Sequence, residues 1–142
     1  MGAAVRKLKG EGGQAVVEFV LILPIFLGLL FAAIGYGITL NNYERVTDIA
    51  RVAARAAAIG RFDPRFAAQS NPPCAAANAA AQQAANGLTI TAVNCSPNSP
   101  PAPGDPITIS VTIQSENAIR TVPFLNLLLP SDLTGDSTAL AQ

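Results

Sequence analysis

Three residues near the start of the chain, Gly13, Gln14 and Glu18, have the types and spacing to do chemistry. If a protease cuts after Gly13, Gln14 becomes a free α-amine, and Glu18 lies one helical turn away on the same side. The amine of one chain and the carboxylate of a neighbour could then neutralise each other in a low-dielectric setting, where an unpaired charge is costly. Such a pair would fix the axial register of packed helices. The alternative reading is plainer: Glu18 is the last polar residue before an apolar run and sits solvated among lipid headgroups.

Other chemistry is nearly excluded. With no histidine, the chain lacks the commonest general base and metal ligand, and no Ser/His/Asp set can form. The carboxylates Asp63, Asp105, Glu116, Asp132 and Asp136 are scattered through predicted loops and read as solvated groups. No catalytic, cofactor or metal site is expected, and the chain reads as a non-enzyme. Formal net charge is zero and no basic stripe suggests nucleic acid.

The element that must position Gln14 and Glu18 is the run from Phe19 to Leu40, which contains no charge. Roughly 20 helical residues cross a bilayer's hydrocarbon core, so this run is long enough to span one. A carboxylate at its lip needs a partner or a function. Upstream, residues 1–13 carry Arg6, Lys7 and Lys9 against Glu11, which favours a cytoplasmic N-terminus and an exported remainder. The apolar run exceeds a secretory h-region. Ala32-Ala33 and Gly35-Tyr36-Gly37 could mimic a signal-peptidase site, but the segment reads as retained. Pro24 removes one helical hydrogen bond and should kink or loosen the helix there. Gly28, Ala32, Ala33, Gly35 and Gly37 offer close-approach surfaces for another helix, although such residues are common in membrane helices anyway.

Beyond Asn41 the helical period continues. Val46, Ile49, Ala50, Ala53, Ala54 and Ala57 form one apolar face, with Arg45, Asp48, Arg51 and Arg55 mostly opposite and Gly60 as the C-cap. A single helix from about Ala15 to Ile59 would be about 67 Å long and project a stalk beyond the membrane. The rest of the chain has room for one small domain. Asn71-Pro72 predicts an N-cap and first turn of a helix running through CAAANAAAQQAAN to Gly87. Residues 88–95 and 107–114 alternate as strands, separated by a loop with five prolines in eleven residues, and the tail LTGDSTALAQ could add an edge strand. The expected class is α+β, with an antiparallel sheet covered by the alanine-rich helix. The apolar stretch 122–130 is too short to span a membrane and would pack on the sheet or the bilayer surface.

Cys74 and Cys95 both fall in the part predicted to be exported. Their even count and placement at element ends fit one disulfide, worth about 3 kcal/mol on the loop-entropy account, against the alternative of two buried free thiols.

Gly13-Gln14-Ala15-Val16-Val17-Glu18-Phe19 resembles the class III signal of type IV pilins: a basic leader, a cleavage glycine, a glutamate at the fifth mature position, then an apolar helix. More closely, GQAVVEFVLILPIFLGLLF followed by ARVAARAAA is similar to the TadE-like minor pseudopilins of tight-adherence (Flp) pilus systems. The resemblance covers residues 12–59. It implies cleavage between Gly13 and Gln14 by a prepilin peptidase and an assembly role for Glu18. It also implies partnership with other pilin or pseudopilin subunits through the N-terminal helix, with a membrane assembly platform and with the lipid bilayer. The length beyond Ile59 favours a minor subunit over a short major pilin. The organisation expected is a leader at 1–13, a membrane helix and stalk at 14–60 and an extracytoplasmic domain at 61–142. The location expected is the cytoplasmic (inner) membrane, single-pass and N-in. The competing reading is a signal-anchored extracytoplasmic binding domain that never polymerises.

Overall fold

A computed structural model of the chain describes residues 11–114 and 130–142, with side chains from residue 13 onward. The basic cluster Arg6, Lys7 and Lys9, the carboxylate of Glu116 and nearly all of the apolar stretch 122–130 lie outside the described residues. The elements are helix α1 (Glu11–Ile59), a 3-10 turn (Gly60–Phe62), helix α2 (Pro72–Ala84) and strands β1 (Ile90–Ser96), β2 (Pro106–Gln114) and β3 (Asp132–Leu140). The fold is α+β: a long apolar N-terminal helix, then a small domain with one further helix and a three-stranded antiparallel sheet.

The chain divides into two units, Met1–Ile34 and Gly35–Gln142. The first is helical from Glu11, and α1 runs on through Pro24. Its apolar side chains are exposed all round the helix, among them Val16, Phe19, Leu21, Ile25, Phe26 and Leu29. A helix that is apolar on every side is stable only when something else covers it. Length and composition make it a candidate membrane span.

The second unit has a conventional core. The sheet order is β1-β2-β3, with β2 central and antiparallel to both neighbours. Ile107, Ile109, Val111 and Ile113 alternate onto one face of β2 and are almost completely buried. Each such side chain contributes about 1.5–3 kcal/mol on burial. Against that face lie the α1 residues expected from periodicity, Val46, Ile49, Ala50, Ala53, Ala54 and Ala57, together with Ala77 and Ala81 of α2. The cover over the sheet is therefore wider than the alanine-rich helix expected from sequence, because α1 supplies much of it. Alanines at these positions let two helices and a sheet approach closely without voids.

Capping in α2 follows the expectation. The Asn71 side chain accepts a hydrogen bond from the Cys74 amide, proline occupies the first turn, and Gly87 takes a left-handed φ of 90° just past the end. Gly60 is different. It follows Ile59 directly, at the end of α1 where the C-cap is expected, and lies buried as the first residue of the 3-10 turn. A Cβ there would stand 2.7 Å from the Ala76 Cβ and 3.0 Å from the Pro73 Cα. Close passage of α2, not helix termination, requires the glycine.

Candidate functional site

Gly13, Gln14 and Glu18 all lie on exposed turns of α1. Gln14 and Glu18 are four residues apart on one helix, so their side chains share a face. Glu18 forms no ion pair among the described residues, and no charged residue follows it until Glu44. Its carboxylate therefore stands alone at the head of an exposed apolar surface. If that surface enters lipid or a helix bundle, the carboxylate must find a cation or stay at the boundary.

Gly13 carries a second signal. It sits in helical backbone, where glycine is about 1 kcal/mol worse than alanine. A Cβ built on it would meet nothing within 4 Å. Neither backbone conformation nor packing within the described chain asks for glycine here. Gly37 is equally unconstrained, whereas Gly60 and Gly135 are both held by contacts. The described fold gives no reason for glycine at position 13.

Residues 13–55 match the family model for TadE-like proteins. The resemblance carried by GQAVVEF and the arginine–alanine stretch thus holds across this TadE-like segment, which includes Gly13, Gln14 and Glu18 and ends within the buried alanine face of α1. The match suggests a subunit associated with a tight-adherence pilus. No curated protein and no solved structure matches the chain.

The TadE-like segment also holds residues that sequence reasoning passed over. The buried face of α1 begins at Gly35, Thr39 and Asn42, ahead of Val46. Thr39 donates through Oγ1 to the Gly35 carbonyl at 3.0 Å. The spacing of these residues is helical, and it could have been read as a continuation of the Val46 face had small and polar residues been counted with the apolar ones.

Downstream, the Asp48–Arg51 pair expected on the exposed face is present at 3.1 Å. It is solvent-exposed and worth a few tenths of a kcal/mol at most. Cys74 and Cys95 are joined in a disulfide with Cα atoms 5.8 Å apart, tying the first turn of α2 to the end of β1. Among the described residues no group of His, Cys, Asp and Glu could hold a metal ion.

Proposed function

We propose that this protein is a minor pilin or pseudopilin subunit that takes part in assembling a tight-adherence (Flp-type) type IV pilus, and that it is not an enzyme. A prepilin peptidase cuts between Gly13 and Gln14. The chain sits single-pass in the cytoplasmic (inner) membrane with its N-terminus inside and its C-terminal domain outside. An assembly platform then draws the processed subunit toward or into a filament. There the Gln14 amine of one subunit and the Glu18 carboxylate of its neighbour neutralise each other as their apolar helices pack.

The observation that carries this reading is the TadE-like match across α1, whose N-terminal part exposes apolar side chains all round and has Glu18 at the head of its uncharged run. The unconstrained glycine five positions before that carboxylate supports it.

Intact-mass measurement on the chain recovered from its own membranes tests the processing step. A mature chain starting at Gln14 is expected; a chain that keeps its leader beside an active prepilin peptidase overturns it. Glu18→Ala should leave cleavage intact and reduce piliation. Full piliation with Glu18→Leu would favour the signal-anchored binding domain instead.

A further inference from the structure

We infer that the face of α1 formed by Gly35, Thr39 and Asn42 is a docking seat for an apolar stretch of the same chain, residues 122–129. The seat does not depend on the pilus reading above.

Gly35, Thr39 and Asn42 follow one another at i, i+4 and i+7, so they share one side of α1. All three are buried, with Thr39 at 8% and Asn42 at 9% exposure. The described strands stop short of this face. β3 passes over Thr47 at Gly135, and Gln142 bonds to the Ala58 carbonyl, so β3 runs along α1 toward its C-terminal end. Asp132, the first residue of β3, therefore lies on the Asn42 side of Thr47, about 10 Å earlier along the strand. On a helix rising about 1.5 Å per residue, that reaches no further than Leu40. β2 ends beside it, because Gln114 pairs with Asp132, and the turn after α2 meets α1 at Arg45, which donates to the Asn86 carbonyl. Gly35 stands more than a helical turn beyond all of these.

The chain that continues from the two strand ends is the connection from Gln114 to Asp132. Two to five residues suffice for a hairpin, and 17 are used. Within it, residues 122–129 include Phe124, Leu125, Leu127, Leu128 and Leu129 and carry no charge. Such a stretch needs an apolar seat. The sheet offers none. Its inner face is filled by α1 and α2. Its outer face presents Thr108, Ser110 and Thr112, each hydrogen-bonded across to Thr138, Asp136 or Thr134. What remains beside the strand ends is the Gly35–Asn42 face, whose small side chains let bulky ones approach the helix closely.

Asn42 sets the register. Its side-chain carboxamide is buried and forms no hydrogen bond among the described residues. Leaving a buried amide unpaired is costly, and Asn126 is the one polar side chain in 122–129. Each carboxamide offers a donor and an acceptor, so the two satisfy each other. A lone amide pair in an apolar contact also disfavours shifted alignments. Residues 35–40 still belong to the uncharged run of α1. The docked stretch thus covers one side of that run at its domain end, a side that a neighbouring helix then cannot use.

The test uses the full chain in its own membranes. Asn42→Cys is combined with Asn126→Cys or, as a distant control, with Ser110→Cys on the outer face of the sheet. Under mild oxidant the first pair should form an intramolecular bond at least about tenfold more than the second, because bridging needs Cβ atoms about 4 Å apart. Peptide mass mapping identifies the bond and confirms that Cys74–Cys95 is unchanged. In a second measurement, residues 122–129 are replaced by a glycine–serine stretch of equal length. Maleimide labelling of Asn42→Cys should then rise at least about tenfold, as for a site whose cover is removed. The Cys74–Cys95 bond again controls for folding. No intramolecular bond, bonds only between two copies of the chain, or labelling unchanged by the replacement would each overturn the proposal. Cleavage after Gly13 is scored separately by intact mass, so the pilus reading stands or falls on its own.

Discussion

Gly135 of β3 passes directly over Thr47 of α1: a Cβ built on Gly135 would lie 2.9 Å from the Thr47 Cα and amide nitrogen. The neighbours are backbone atoms, so no side-chain rotation can relieve the contact. Gly135→Ala should therefore force strand and helix apart at a cost of about 1–3 kcal/mol, the range for overpacking a filled core. Chemical denaturation of the two chains in matched detergent would show a lower midpoint for the variant. An unchanged midpoint would mean that β3 does not lie this close to α1.

Gly13 should behave in the opposite way. In Gly13→Val the added Cβ meets no neighbour and valine replaces the weaker helix former, so helical content by circular dichroism should hold or rise slightly. Processing, in contrast, should fall sharply by mass spectrometry. Normal maturation of the variant would remove Gly13 from the processing site.

The disulfide should matter more than its single count suggests. It links two elements of a small domain across a sequence separation of 21 residues. Replacing both cysteines by serine should cost about 3 kcal/mol by the loop-entropy account. Equilibrium unfolding with and without reductant would check this: the wild-type chain should lose stability on reduction, and the double variant should be indifferent to it.

Asp63 provides a pH-dependent element just past the 3-10 turn. Its carboxylate receives side-chain and backbone hydrogen bonds from Arg65, which hold its pKa below the usual carboxylate value. A depressed folded-state pKa contributes stability above the ordinary carboxylate range, and that contribution is lost as pH falls through the folded value. The pair is exposed to solvent, so the effect is small. Thermal melts in the acid range should show a shallower decline for Asp63→Asn than for the wild-type chain, with the two converging in slope at neutral pH.

Much of this was legible because it is local. The alternation of Ile107, Ile109, Val111 and Ile113, the helical period from Val46 to Ala57 and the Asn71-Pro72 cap each lie within one element and need no knowledge of a partner. GQAVVEF was visible for the same reason. What escaped depends on two distant segments meeting. The contact that demands glycine at position 60 is made by α2, and the one at position 135 by α1. Nothing in the flanking residues marks either. The buried start of the α1 face at Gly35, Thr39 and Asn42 is small or polar, and so gives no hydropathic signal. That β1 ends the described sheet beside α2 is likewise a relationship of topology that spacing along the chain does not encode.

The pairing of Thr47 with Gly135, and the hydrogen bond from the Gln142 amide to the Ala58 carbonyl, bear on timing as well as stability. They join the earliest part of the second unit to its latest. Contacts between residues so far apart in sequence form slowly, because a large loop must close before they can stabilise anything. The C-terminal half of α1 is therefore one wall of a core whose last strand is translated last. Until β3 arrives, the core between α1, α2 and β2 stays incomplete, and the interval before closure is when a chaperone or protease would have its access.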